Sequence, residues 1–219
     1  MELDLRQALH YLGAGEQVPP ALLEQVSHQA GQLQAALRPR YVYRVYDITR
    51  TGQGLCLSQA GLVLPGNTAG RMLEECGRAA LLACTLGAEY DAMLRTCQAR
   101  DMAQAVILDA CGSAWVEAGC DGAEAELAGL FPGLHRTDRF SPGYGDLPLE
   151  LQAPLCAALD AQRRIGLTVT PSFLLNPTKS VTAVIGLAAV PQKKRIRGCA
   201  YCSMRQTCSL RKRGTTCAL

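Results

Sequence analysis

The segment from Asp101 to about Gly119 constrains the fold most strongly, because it is apolar on nearly every side. Its large apolar residues fall at helical positions all around the axis: Met102, Val106, Ile107, Leu108, Trp115 and Val116. A helix that is hydrophobic on all sides is normally buried at the centre of a domain. The sequence therefore predicts a central helix that other elements cover on every face.

Two acidic residues, Asp109 and Glu117, interrupt this segment eight residues apart, which puts them on adjacent faces of the helix. A buried carboxylate must be paired or hydrogen-bonded, because burying an isolated charge is very costly. Two interpretations stay open. The acids form internal ion pairs or bind loop amides, or Glu117 faces a ligand cavity.

The rest of the chain contains both helical and strand patterns. Helices are predicted over 3–38, with a break near 13–15 and a restart after 19–20, then over 67–87, around 90–94 and over 151–163. Strands are predicted over 41–49, 55–64, 165–170 and 181–190. Strands near both ends of the chain, around a helical middle, predict an α+β fold whose sheet partners are distant in sequence.

The stretch from Arg139 to Gly145, Arg-Phe-Ser-Pro-Gly-Tyr-Gly, is a candidate binding turn. Its glycines let backbone approach a ligand closely, and its proline pre-sets the turn. Arg139 can fork onto a carboxylate, and the ring of Tyr144 can pack against a flat group. The alternative is a structural turn whose arginine pairs with a neighbouring acid.

Composition indicates a globular protein with a substantial core. The chain of 219 residues is 48% hydrophobic with a mean hydropathy of +0.05. No apolar run approaches the roughly 20 residues of a membrane span. The first six residues lack the basic and then apolar layout of a signal peptide, so we expect a cytoplasmic protein.

Charge divides the chain unevenly. Residues 1–160 contain 11 basic and all 19 acidic residues, whereas residues 161–219 contain 11 basic and no acidic ones. The C-terminal part is therefore expected to meet something negative, such as an acidic electron carrier or nucleic acid. The composition changes near Pro191, which predicts a main domain over 1–190 and a basic tail over 191–219.

The 11 cysteines form two groups. In a reducing compartment, scattered cysteines are mostly small buried hydrophobes and clustered ones mostly metal ligands. The tail clusters four: Cys199, Cys202, Cys208 and Cys217. They predict a metal site, and zinc and an iron–sulfur cluster, most simply 4Fe–4S, both remain open because they use the same ligands.

Several motifs in order resemble the activation domain of cobalamin-dependent methionine synthase, and more specifically its free-standing clostridial-type relatives. The resemblance covers roughly residues 100–187. It rests on the turn 139–145 and on the following shorter matches: Asp109, Val116-Glu117-Ala118, Leu159-Asp160, residues 165–170, Pro177 and Ser180-Val181-Thr182.

The resemblance implies a C-shaped α+β fold with a twisted antiparallel sheet and a groove that binds S-adenosylmethionine. By position, Arg139, Ser141, Gly143 and Tyr144 would line the groove, and Glu117 would hold the ammonium group. In that family, one electron from a ferredoxin or flavodoxin and a methyl group from S-adenosylmethionine convert inactive cob(II)alamin to methylcobalamin. The chain has no Asp-x-His-x-x-Gly corrinoid signature, so a partner protein is expected to carry the cobalamin.

A second hypothesis comes from a different class. The chain would be a non-catalytic binding module whose basic cysteine tail contacts nucleic acid or another acidic partner. One aromatic residue in the tail and no RNA-binding signature argue against nucleic acid. Retained binding of S-adenosylmethionine would favour the first hypothesis, in which the protein helps to convert cob(II)alamin to methylcobalamin.

Overall fold

The structure is a computed structural model, and it describes residues 1–15, 17–52, 54–192, 206–207 and 212. Cys199, Cys202, Cys208 and Cys217 lie outside the described residues. The metal site predicted for them is therefore carried forward as a prediction.

Strands of the described chain form one large antiparallel sheet and one small hairpin. They are β1 (Arg40–Thr51), β2 (Gly54–Leu57), β3 (Leu62–Leu64), β4 (Cys76–Thr85), β5 (His135–Arg136), β6 (Thr168–Val169), β7 (Leu175–Asn176) and β8 (Ser180–Ala188). The six-stranded sheet has the order β3-β2-β1-β4-β8-β5, and β6 pairs with β7. The central strands β4 and β8 come from distant parts of the chain, as the α+β prediction requires.

Helices cover both faces of this sheet. They are α1 (Leu5–Tyr11), α2 (Pro20–Ala36), α3 (Gly66–Met72), α4 (Ala88–Arg100), α5 (Met102–Leu130), α6 (Gln152–Leu159) and α7 (Ala161–Ile165). Helices α1, α2, α4 and α5 share one hydrophobic core with the sheet, and α3, α6 and α7 share the other. The predicted α+β fold, with a twisted antiparallel sheet and surrounding helices, is confirmed.

The central helix α5 is confirmed and is longer than predicted. Asp101 caps it by accepting hydrogen bonds from the amides of Ala103 (2.9 Å) and Gln104 (3.1 Å). Trp115 is fully buried, and its indole N–H donates to the carbonyl oxygen of Leu37 at 3.1 Å. None of the helices formed by the described residues combines the length and apolar composition needed to cross a membrane.

The helix predicted over 67–87 is wrong beyond its first turns. After α3 ends at Met72, the chain forms β4, a strand that is buried from Ala79 to its end. Alternate residues of β4 enter the two cores, with Leu82 in one and Leu81 in the other. A strand buried on both faces loses the polar alternation that identifies strands, so its apolar residues also fit a helical spacing.

Two predicted strands are shorter than expected. The strand predicted over 55–64 is split into β2 and β3 by a 3₁₀ turn, Ser58–Ala60, that ends at Gly61 in the left-handed conformation (φ 61°). The strand predicted over 165–170 forms only at Thr168–Val169, because Ile165 still belongs to α7 and Gly166 (φ 73°) ends that helix. Glycine ends helices in this way because it adopts positive φ without steric cost.

Candidate functional site

The turn 139–145 is fixed to the edge of β8. Phe140 is fully buried and exchanges backbone hydrogen bonds with Val184, at 3.1 and 2.8 Å. Ser141 donates a hydrogen bond from Oγ to the carbonyl oxygen of Thr182 at 2.7 Å. The hydroxyl of Ser141 therefore holds the turn against the sheet, and its oxygen keeps lone pairs for a further donor.

The far side of the turn is fixed to the start of α3. The carboxylate of Asp146 accepts hydrogen bonds from the amides of Asn67 (2.6 Å) and Thr68 (2.8 Å). The pKa of Asp146 is lowered to about 2, chiefly by a hydrogen bond with the side chain of Thr68 and then by the two amide bonds. At Gly145 (φ 57°) a Cβ atom would lie 2.3 Å from Oγ1 of Thr68, so only glycine fits this contact.

Arg139 points at α5, where it contacts three carboxylates. Its guanidinium lies 2.8 Å from Glu117, 2.7 Å from Asp121 and 2.6 Å from Glu124. Residues 117, 121 and 124 share one face of the helix because they are four and three positions apart. The structure thus brings together Arg139 and Glu117, to which the resemblance assigned opposite ends of one ligand, and it joins them in an ion pair, as the structural interpretation of both residues predicted.

The arginine cluster, which we define as Arg136, Arg139, Glu117, Asp121 and Glu124, contains three carboxylates and two guanidinium groups. Its formal charge is therefore negative. Burial raises the pKa of Glu117, and the neighbouring guanidinium of Arg139 opposes this shift. A carboxylate in this setting gains from any additional cation that approaches it.

The cluster has the chemistry to bind a zwitterion. Arg139 presents a planar fork of N–H donors that suits a carboxylate, and Glu117 accepts from an ammonium. A ligand that carries both groups would replace the Arg139–Glu117 contact by two contacts of the same kind. Asp121 is 70% exposed and can move aside at little cost.

Tyr11, at the end of α1, lies within electrostatic range of Glu117, Tyr144 and Arg139. Both tyrosines are about half exposed, Tyr11 at 43% and Tyr144 at 49%. Burial raises the pKa of Tyr11 to about 12, and the charge of Glu117 adds to the shift. Nothing in the sequence signals this proximity, because Tyr11 lies on the first helix, more than 100 residues from Glu117.

A cleft of about 420 Å³ begins at Tyr11 and runs between α1, α4 and α5. Exposed apolar side chains line it, together with polar ones that include Asp109 and Ser113. Lys179 binds both of these, at 2.9 Å from each. Asp109 is therefore in an ion pair, as the structural interpretation of this acid predicts.

The cysteines of the main domain behave as predicted for isolated residues. All seven in the described chain are free thiols, and five of them are buried: Cys76, Cys84, Cys111, Cys120 and Cys156. In the part of the chain that the structure describes, no three His, Cys, Asp or Glu side chains are grouped to hold a metal ion.

Comparison with known proteins finds similarity in structure but not in sequence. No protein-family model and no curated protein sequence matches it. Among solved structures it is similar to the crystal structure of the MetH reactivation domain bound to AdoHcy. The TM-score is 0.65 at 16% sequence identity, over 97% of this chain and 83% of that chain. This likeness establishes the fold.

Proposed function

We propose that the chain binds S-adenosylmethionine and supports reductive methylation of cob(II)alamin carried by a separate corrinoid protein, such as a methionine synthase. Arg139 would bind the ligand carboxylate, and Glu117 would bind its ammonium group. Gly143 and the oxygen of Ser141 would face the ligand along the turn, and Tyr144 would pack against it.

The observation that carries this proposal is the arginine cluster, set in a fold whose neighbour was crystallised with AdoHcy. AdoHcy has the same amino acid and adenosyl groups as S-adenosylmethionine. Its methionine-type end requires one cationic fork and one carboxylate, which Arg139 and Glu117 supply 2.8 Å apart. The methylated ligand adds a sulfonium charge, which a net negative cluster favours.

The proposed role of the protein is to bring a methyl donor and a reduced cobalt centre together. Transfer of the methyl group leaves S-adenosylhomocysteine and methylcobalamin. A bound and oriented donor converts a bimolecular encounter into a step within one complex. The electron would come from a ferredoxin or flavodoxin, and the basic C-terminal part would attract such an acidic protein in the cytoplasm.

We also propose that Cys199, Cys202, Cys208 and Cys217 bind an iron–sulfur cluster or zinc. The support is their spacing in the sequence, where a CxxC pair and two further thiols can complete a tetrahedral site. A cluster would supply a relay for the electron. Metal analysis and absorption spectra of anaerobically purified protein separate the two metals.

The decisive assay follows the methyl group. A corrinoid protein held as cob(II)alamin is incubated anaerobically with a reductant, methyl-labelled S-adenosylmethionine and this protein. The proposal predicts labelled methylcobalamin in a reaction that needs this protein and is slowed by Glu117→Gln. Equal labelling without the protein would contradict it.

A further inference from the structure

The cleft that begins at Tyr11 differs from the arginine cluster in chemistry, although the two adjoin. Its wall on α5 carries Met102 and Val106, which are 61% and 54% exposed. Exposed apolar side chains that lie together beside a concave surface commonly mark a binding site. A volume of about 420 Å³ lies in the range of small-molecule sites.

We infer that this cleft holds the flat base and the ribose of an adenosyl ligand, and that Tyr11, Met102 and Val106 determine its specificity for a purine nucleoside. The inference rests on the proposed function, because it assigns the second half of the same ligand. It also gives helix α1, the first element of the chain, a direct part in binding.

The first argument is continuity along α5. Glu117 lies one helical turn beyond Ser113, and Asp109 lies one turn before it, so the cluster and the cleft lie on adjacent faces of the helix. Tyr11 connects the two, since it lines the cleft and lies close enough to Glu117 and Arg139 for their charges to act on its pKa in addition to burial. A ligand anchored at the cluster therefore has the cleft as its neighbouring surface.

The second argument is the match between lining and ligand. A purine offers two apolar faces and a polar edge. The aromatic ring of Tyr11 and the thioether of Met102 suit the faces, because aromatic and polarisable groups pack well against flat rings. Asp109 is 51% exposed and, beside its ion pair with Lys179, can accept a hydrogen bond from an amino group or a ribose hydroxyl. Gln98 can donate or accept, and Ser113, whose hydroxyl donates to the carbonyl oxygen of Asp109, can accept.

The third argument is that α1 is held firmly enough to form a wall. Asp4 caps it through the amide of Arg6 at 2.8 Å, and Leu9 is buried against the core shared with α5. The hydroxyl of Tyr11 accepts a hydrogen bond from Gln7 at 3.2 Å. The position of the tyrosine ring is therefore defined before a ligand arrives.

The test uses two probes and four variants in titration calorimetry. S-adenosylmethionine occupies both halves of the site, whereas 5′-methylthioadenosine lacks the amino acid part. Val106→Asp places a charge in the cleft at an exposed position, and Tyr11→Ala removes the aromatic wall. Leu174→Asp is the matched control, because Leu174 is 61% exposed on the β6–β7 hairpin, and neither Leu174 nor its hairpin lines the cleft.

We expect Val106→Asp and Tyr11→Ala to weaken binding of both probes about tenfold or more, and Leu174→Asp to leave both unchanged. Glu117→Gln should weaken S-adenosylmethionine alone. Binding of S-adenosylmethionine that depends on Glu117 but is unaffected by Val106→Asp and Tyr11→Ala would overturn the inference and leave the proposed function standing. No binding of S-adenosylmethionine to the unmodified protein would overturn both.

Discussion

Replacing Arg139 with alanine removes the guanidinium that contacts Glu117, Asp121 and Glu124. Glu117 and Glu124 are 26% and 22% exposed, so water replaces the lost cation only in part. Removing one partner of a fully buried pair costs about 3–5 kcal/mol, and an exposed pair is worth up to about 1 kcal/mol. The cluster lies between these cases, so we expect Arg139→Ala to lower the free energy of unfolding by about 2–3 kcal/mol.

The size of this loss depends on pH in a defined direction. Burial raises the pKa of Glu117 and Arg139 opposes the shift, so removing Arg139 raises the pKa further. A carboxyl with a raised folded-state pKa favours folding below its unfolded pKa, and this contribution disappears as the pH rises through the folded value. The free energy of unfolding that Arg139→Ala loses is therefore smaller at lower pH. At neutral pH, adding Glu117→Gln to this variant should restore part of the lost free energy, because it removes the unpaired charge.

Urea denaturation followed by circular dichroism measures this effect at about pH 7.5 and about pH 5.5. Arg163→Ala is the control, because Arg163 is 81% exposed and its ion pair with Asp160, at 2.7 Å, is expected to contribute about 0.5 kcal/mol at most. A loss below about 0.5 kcal/mol in Arg139→Ala, or a loss equal at both pH values, would refute the reasoning.

Three further predictions concern binding and the support of the turn. Because the pKa of Glu117 is raised, affinity for S-adenosylmethionine should fall on acidification at a pH above the usual glutamate range. In calorimetry, Glu117→Gln should bind the ligand about tenfold more weakly, and its affinity should depend less on pH. Asp146→Ala should lower stability by about 1 kcal/mol in urea, as loss of a helix cap does, and this difference should vanish as the pH falls from about 4 towards the folded pKa of about 2. Cys208→Ser should leave S-adenosylmethionine affinity within about twofold while removing bound metal, and a parallel loss of both would contradict separate sites.

The central helix and the binding turn could be predicted because each carries its signal locally. Residues 102–116 of α5 are apolar all round, and this pattern fits few positions other than a buried centre. The turn 139–145 concentrates an arginine, two glycines and a proline, whose backbone and donor properties are independent of context. The resemblance implied that Glu117 and Arg139 would line one groove. They lie 2.8 Å apart in a direct ion pair, which is the contact that the structural interpretation of each residue predicted.

The features that the sequence did not predict are long-range. Strand β4 was mistaken for a helix because its surroundings come from distant segments: β1 and β8 pair with its two edges, and helices on both sides of the sheet bury its two faces. Asp146 caps a helix almost 80 residues earlier, which a local pattern cannot show. Tyr11 reaches the site only because α1 packs on α5, and the extra carboxylates Asp121 and Glu124 matter only once Arg139 faces them.

The central claim is that Arg139 binds the carboxylate of S-adenosylmethionine, and anaerobic calorimetry with two ligands tests it directly. The second ligand is the decarboxylated analogue, and the variant is Arg139→Lys, which keeps the charge but loses the fork. We predict micromolar binding of S-adenosylmethionine to the unmodified protein, about tenfold weaker binding of the analogue, and little difference between the two ligands in the variant. Equal affinity of the unmodified protein for both ligands, or no binding of either, would contradict the claim.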